Sequence, residues 1–400
     1  MGKRMVQSHI NDILQQVPSG RLMSVDLLRG LAIAAMVLVN NPGSWSYVYA
    51  PMAHAEWHGW TPTDVIFPLF LFVVGLSMVL SCGRHKPFPV VGWVQWSRAL
   101  KLFALGLFLA VFFYNFRDDS YNWVADRLEG IRWMGVLQRI ALVYILCCYL
   151  VRWLPVRGLV VATILCSLVP WLLMLFVPYQ NAAGETFQGQ LVFGNHFSAW
   201  LDQWLLGVDH LYYRSASPFA FDPEGVLTTV SAVSTCLLGV LAGLAWKSSG
   251  EEPKAQLRLC RNWAIGGGAM LIAGQVLHPL VPINKALWSP SFVLVTAGVS
   301  ALLLAGLYYL VDIRERRRAL APLLVFGVNA IALFMLAGLV GRLLIMLPVG
   351  DTTLKGWLFH TVFQPVFGSY GGSLAFAVSS LAVFYLVMWQ MYRRRIIWKV

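Results

Sequence analysis

Two histidines and two acids stand just ahead of an apolar run, in the stretch His54-Ala-Glu56-Trp-His58-Gly59-Trp-Thr-Pro62-Thr-Asp64-Val-Ile-Phe67-Pro68. Histidine exchanges protons near neutrality, so His54, at the edge of hydrocarbon, is a candidate general base. His54 and His58 are four residues apart, as in a zinc-protease helix. That pattern needs a glutamate directly after the first histidine, and Glu56 is one place too far; Gly59 also ends any helix there, so no metal is expected. Asp64 lies in the first turn of the apolar run. It either caps the free backbone N–H groups of that helix or orients His54, and the spacing leaves both roles open.

Other polar groups sit in or beside apolar runs. Asp26 and Arg29, three apart in Ser24-Val-Asp26-Leu-Leu-Arg29-Gly30, can neutralise each other, or Arg29 can meet a phosphate. Asn40, at the far end of the same run, can donate to an oxyanion or simply end the helix. Gln138 and Arg139 fall just inside another run, where an arginine is costly unless it snorkels or has a function. Asp202, Asp209, His210, Asp222, Glu224, Asn284 and Lys285 cluster in connecting segments, the kind of acid and amide set that holds sugar hydroxyls. Asp222 can equally cap the run that follows it. Asn329 lies inside a run and needs a partner.

The elements that must position these groups are membrane helices. The 400 residues are 58% hydrophobic and 12% charged, with a mean hydropathy of +0.66, outside the range of a soluble domain this long. Runs of spanning length at 24–41, 62–82, 98–114, 133–153, 158–177, 225–246, 261–279, 290–311, 322–347 and 373–392 predict an all-α, polytopic membrane protein of about ten helices. The net charge of +12 does not point to nucleic acid, because lysines and arginines gather in alternate connections. These are the N-terminus (Lys3, Arg4, Arg21), the second (Arg84, Lys86, Arg98, Lys101), the fourth (Arg152, Arg157), the sixth (Lys247, Lys254, Arg258, Arg261), the eighth (Arg314, Arg316, Arg317, Arg318) and the end (Arg393, Arg394, Arg395, Lys399). That is the positive-inside bias, so both termini are expected in the cytoplasm, and His54, Asp64 and the long loop 178–224 outside. Residues 1–23 read as a cytoplasmic segment without a cleaved signal, and 24–400 as one transmembrane domain. The six cysteines suggest neither a disulfide framework nor a metal site. The absence of an internal repeat lowers the expectation of a transporter.

The polar blocks also carry a resemblance. Arg21-Leu-x-Ser24-Val-Asp26-x-x-Arg29-Gly30 with Val39-Asn40, then His54-Ala-x-Trp57-x-Gly59-x-Thr61-x-x-Asp64, Gly135-Val-Leu-Gln138-Arg139, Leu206-Gly207-x-Asp209-His210 and Phe221-Asp222-Pro223-Glu224-Gly225, follow in order along the chain. With Pro282-x-Asn284-Lys285, Asn329 and Ile397-Trp398-Lys399 they resemble the heparan-alpha-glucosaminide N-acetyltransferase family of transmembrane acyltransferases. The chain departs from that family's animal members at Ala337, where they carry a histidine, and at His58, where they carry an asparagine.

The resemblance implies that acetyl passes from cytosolic acetyl-CoA to the amine of a glucosamine unit across the membrane. His54 would be the catalytic residue, as base or as acetyl carrier, with Asn40 and Asp64 beside it. Arg29, Arg98, Lys101, Gln138 and Arg139 would hold the donor, and Asp209, His210, Asp222, Glu224, Asn284 and Lys285 the acceptor. A homodimer in the cell's inner (plasma) membrane, contacting lipid and no nucleic acid, is expected. O-acetylation of an envelope glycan and an amino-sugar permease are the alternatives.

Overall fold

A computed structural model describes residues 2–17, 22–83 and 88–398. Arg21, Arg84, Lys86 and Lys399, and the side chains of Lys3 and Arg4, on which part of the charge argument rests, lie outside the described residues. Backbone groups in hydrocarbon must be satisfied within their own segment, and the apolar runs accordingly form helices. They are α2 (Met23–Asn40), α3 (Pro62–Ser81), α4 (Trp93–Val111), α5 (Val136–Trp153), α6 (Val156–Phe176), α8 (Val226–Ser248), α9 (Pro253–Leu277) and α10 (Pro290–Leu307), the last running through a π-helical turn to Ile313. α11 (Ala321–Val328), α12 (Ala330–Met346), α13 (Leu354–Leu358) and α14 (Gln364–Arg393) follow. Outside these runs lie α1 (Gly2–Gln15), α7 (Phe197–Leu206) and two small hairpins. In the hairpins β1 (Tyr179–Gln180) pairs with β2 (Thr186–Phe187), and β3 (Pro348–Val349) with β4 (Thr352–Thr353).

Among the described residues eight helices are long and apolar enough to cross a membrane, or nine if one bent pair counts as a single span. Ten were expected. α9, with Arg258, Arg261, Asn262 and Gln275, is too polar to qualify. The run expected to be continuous over 322–347 breaks at Asn329, where α11 and α12 meet at 72°. The last span starts earlier than 373 because Leu354–Arg393 stays helical through a kink at Gly368, whose φ of 70° suits glycine. Within the N-terminal segment, Gly2–Gln15 is helical. α1 docks on the bundle, with Ile13 fully buried, its carbonyl accepting from Tyr392 Oη at 2.9 Å, and His9 Nε2 2.8 Å from Tyr385 Oη.

Hydrocarbon offers little drive to bring apolar helices together, so close packing over small residues does the work. Gly75 of α3 faces Cys236 O of α8, and Gly239 of α8 faces Phe72 O of α3. A Cβ at either position would overlap that carbonyl. Gly30 of α2 and Gly327 of α11 make the same crossing, and Gly298 of α10 packs on the backbone of Gly267 and Leu271 of α9. A second apolar cluster, including Trp171, Tyr179, Phe197, Phe219 and Phe221, gives the 178–224 loop its own core.

The start of α8 corrects one expectation. Asp202 of α7, not Asp222, accepts from Val226 N, at 2.8 Å through Oδ1, while its Oδ2 has no protein partner. Burial raises the Asp202 carboxyl to about 7. Its folded value therefore lies above its unfolded one, and the folded state holds the extra proton between about pH 4 and 7. Stability should fall as pH rises through that window and level off above it. In detergent, Asp202→Asn should flatten the fall in melting temperature between pH 4 and 7; an unchanged slope would contradict the assignment.

Candidate active site

The segment before α3 begins the site. Thr61 N donates to Asp64 Oδ2 at 3.0 Å, which caps α3, and Ala55 N donates to the same oxygen at 3.0 Å. Asp64 Oδ1 lies 2.6 Å from His54 Nδ1. The two readings of Asp64 are therefore both present, one on each oxygen. Lys285 Nζ lies 3.1 Å from His54 Nδ1, 3.4 Å from Nε2 and 3.5 Å from Asp64 Oδ1. An ammonium only donates and a carboxylate only accepts, so one Nδ1 cannot serve both. The shorter contact assigns the proton to Nδ1, donated to Asp64, and leaves Nε2 with its lone pair.

A second loop holds this one in place. Asn284, fully buried, accepts from Leu287 N at 2.9 Å to close the turn 284–289, and its Nδ2 donates to Trp57 O at 2.8 Å. Gly59 N donates to Ile283 O at 2.7 Å, and Trp57 Nε1 to Leu191 O at 2.7 Å. His58 is turned onto this seam, its Nδ1 3.3 Å from Asn284 Nδ2, and burial lowers its pKa. Asn284 thus presents Lys285 to His54 and does not itself line the cavity that His54 lines.

His54, Asp64 and Lys285 line a cavity of about 720 Å³ together with Asn40, Asn41, Arg132, Glu224, Ala337, Arg342 and Lys355. Asn40 Nδ2 donates to Met36 O of its own helix at 2.9 Å. Arg132 is a part of this site that sequence reasoning missed. Its Nε and Nη2 each donate to Asp222 at 2.6 Å, and Nη2 also to Glu224 at 2.5 Å. Burial disfavours the Arg132 charge, but the paired carboxylates outweigh it and raise its pKa. Burial likewise pushes Glu224 up, and the charges of Arg132, Arg139 and Lys285 more than reverse this. Burial draws Lys285 below the usual ammonium range against the pull of Asp64 and Glu224. Arg342 and Lys355 have no carboxylate within ion-pair distance among the described residues; Arg342 donates to Gly338 O at 2.9 Å, and Lys355 faces the Trp45 ring.

The structure separates the remaining candidates. Asp222 is buried behind Arg132 and does not line this cavity. Asp209 is exposed, and His210 donates through Nδ1 to Ile131 O at 2.7 Å, which ties it to the segment leading to Arg132. Of the six residues expected to hold an acceptor, only Glu224 and Lys285 reach the cavity.

A second cavity, of about 800 Å³, is lined by Arg29, Arg98, Lys101, Ser77, Tyr144 and Trp398 among others. Arg29 donates to Asp26 at 3.1 Å and to Ser77 Oγ at 2.7 Å, and Arg98 lies over the Tyr144 ring. Three of the five expected donor residues are therefore together. Gln138 and Arg139 line neither cavity. Gln138 packs over Gly106, and Arg139, fully buried, lies against Trp288 and donates to Thr228 Oγ1 at 2.5 Å, Thr229 Oγ1 at 3.2 Å and Pro223 O at 3.1 Å. It does not snorkel; it ties α5 to the start of α8.

The two cavities use opposite ends of the same helices. On α2, Arg29 lines one and Met36 the other; on α3, Phe70 and Phe67; on α4, Leu102 and Leu109; on α5, Ile140 and Val136. At 1.5 Å per residue the partition between them is only about 5 Å thick along α3 and about 10 Å along α2.

Residues 21–196 match the model of the family described as heparan-alpha-glucosaminide N-acetyltransferase, catalytic. The matched region contains both His54 and Asp64 and the basic lining of the second cavity. Over this region the chain is similar to that family. It is 27% identical over 428 residues to heparan-alpha-glucosaminide N-acetyltransferase of Mus musculus, covering 96% of this chain and 61% of that protein. With the protein of the same name from Homo sapiens it shares 27% over 433 residues, covering 95% and 60%. The chain thus spans about three fifths of the length of the curated relatives it matches. Arg132 falls inside the family match; its partners Asp222 and Glu224, and Lys285, lie beyond it.

Arg132→Met would leave two carboxylates buried without their cation. The loss should be roughly 3 kcal/mol, the low end for a broken buried pair, because the Arg132 side chain is 27% exposed. Melting in detergent should show this, and adding Asp222→Asn with Glu224→Gln should recover part of it. A single variant that melts like the wild type would refute the pairing.

Proposed function

We propose that this chain is a transmembrane acetyltransferase that takes acetyl from acetyl-CoA at the cavity lined by Arg29, Arg98 and Lys101. It delivers the group at His54 to the amine of a glucosamine-type sugar. The observation that carries this reading is the pair of cavities at opposite ends of α2 to α5, one cationic and one holding the His54–Asp64 pair, with a partition a few ångströms thick. Phosphates cannot cross hydrocarbon, whereas a slender thioester arm can span such a partition. Arg and Lys match phosphate charge and geometry. The positive-inside bias supports a cytoplasmic face for the cationic cavity and an outer face for His54, in a plasma membrane and with both termini inside. Similarity to the family model and to the two N-acetyltransferases supports the acetyl donor and the amino-sugar acceptor. A homodimer rests on the resemblance alone.

His54 carries the chemistry through Nε2. Asp64 fixes the tautomer and the ring plane, as the buried carboxylate of a triad does. Nε2 then either accepts the proton of the acceptor amine as that amine attacks the thioester carbonyl, or attacks the carbonyl itself, expels the thiolate and passes the acetyl on. In both routes negative charge develops on the carbonyl oxygen close to Nε2. The Lys285 ammonium, 3.4 Å from that nitrogen, would stabilise it, and the Asn40 amide, which lines the same cavity, would assist.

Purified protein given labelled acetyl-CoA and a panel of amino sugars and glycans should yield base-stable N-acetyl products. Base-labile products would favour O-acetylation, and sugar uptake into proteoliposomes without acetyl-CoA would favour a permease. His54→Ala should abolish transfer; undiminished transfer to glucosamine would sink the assignment.

Asp64→Asn keeps an oxygen for the α3 cap but turns a donor toward Nδ1. Its melting point should drop only modestly, because Glu224 still supports the Lys285 charge, while kcat falls by roughly 10²- to 10⁴-fold, as expected when the wrong tautomer is held. Equal loss of both, or of neither, would contradict the divided role of the carboxylate.

A further inference from the structure

The segment after α14 folds back over the cationic cavity. Arg395 adopts a left-handed backbone conformation with φ 56°, and Ile396 N donates to Met391 O at 2.9 Å. This turn brings residues 396–398 to the break between α11 and α12. There Asn329, 2% exposed, holds the segment twice: Nδ2 donates to Ile396 O at 2.9 Å, and Oδ1 accepts from Trp398 N at 2.9 Å. A buried amide that uses both of its polar ends on the backbone of one short segment acts as a clamp. What the clamp presents is an indole that is 43% exposed and lines the cavity beside Arg29, Arg98 and Lys101.

An interfacial tryptophan of the ordinary kind faces the lipid headgroups at the rim of a bundle. Trp398 instead lines a cavity whose described charged residues are three cations and Asp26. An exposed aromatic face next to clustered cations is the chemistry that receives a nucleotide: base on ring, phosphates on Arg and Lys. A neutral sugar would call for acids and amides instead.

We infer that Trp398 is the stacking platform for the adenine base of the acyl donor, and that Asn329 is the positioning residue that holds it over the cavity. The inference rests on the reading of this cavity as the donor site. It explains why an otherwise apolar span is broken at an asparagine. The break frees the Asn329 side chain from the helix surface and points it at the returning segment.

The test uses the full chain in lipid nanodiscs and two measurements. Binding of 3′-phosphoadenosine 5′-diphosphate, the nucleotide half of coenzyme A, should weaken about 5- to 150-fold in Trp398→Ala, since stacking on an aromatic ring contributes ~1–3 kcal/mol per base. Trp398→Phe should restore most of the affinity, and Asn329→Asp, which removes the donor to Ile396 O, should weaken binding while Trp398 is intact. In acetyl transfer, the ratio of kcat/KM for acetyl-CoA to that for S-acetylpantetheine should fall by the same factor in Trp398→Ala. Wild-type affinity for the nucleotide in Trp398→Ala, an unchanged donor ratio, or no nucleotide binding by the wild type would each overturn the inference. If the wild type binds the nucleotide but transfers no acetyl from acetyl-CoA, the function proposed above fails, and the binding comparison still decides the platform.

Discussion

The carboxylate of Asp64 connects the start of a membrane helix to the group that would do chemistry. One oxygen takes the N–H groups of Thr61 and Ala55, and the other takes His54 Nδ1. The bonds to Thr61 and Ala55 fix the loop between them, and the bond to His54 fixes the imidazole relative to that loop. Because α3 is itself locked to α8 by the Gly75 and Gly239 crossings, the position of His54 is inherited from helix packing. A histidine in an unanchored loop would sample several orientations; this one is referred to the most closely packed part of the bundle.

The same logic extends to the other charged groups. Asp64 sits at the start of α3, Arg132 just before α5, Glu224 just before α8 and Lys285 just before α10. All four approach from one end of the bundle, where helix N-termini present unpaired N–H groups and favour negative charge. The acids are suited to that position and the cations are not, so Arg132 and Lys285 depend on Asp222, Glu224 and Asp64. Single charges here would be prohibitive near hydrocarbon. Arranged as alternating signs drawn from four distant stretches, they are held together, and the site forms only when those helix starts have assembled.

This assembly also decides what could be read from the chain beforehand. His54 and Asp64 were legible because both the cap and the imidazole contact are local, within ten residues. The helices were legible because hydropathy acts over the length of one span, although the break at Asn329 was not: the partners of that residue are residues 396 and 398, far along the chain. Arg132 was passed over because its carboxylates lie some ninety residues on, where no spacing rule reaches. Arg139 was misassigned for the opposite reason. The cost of an intramembrane arginine signals that a partner exists without saying whether it is a ligand or, as here, the start of α8. For the cap of α8 the sequence offered the near acid, Asp222, as one of two readings, whereas α7 supplies the cap through Asp202.

The partition between the two cavities is built unevenly, and this bears on where an acyl chain can pass. Its α3 wall is backed by α8, and its α2 wall by α11 through Gly30 and Gly327, with no space for a Cβ at either contact. The α4 wall is different: α4 fully buries only Ala99, Leu102, Gly106 and Leu109. Opposite Gly106 lies the Gln138 side chain, an unbranched amide over a residue with no side chain of its own. Backbone packed on backbone yields only if whole helices move, whereas a side chain over a glycine yields by changing rotamer. The fold therefore makes two sides of the partition stiff and concentrates its compliance at Gln138 and Gly106, between the basic residues at one end and His54 at the other.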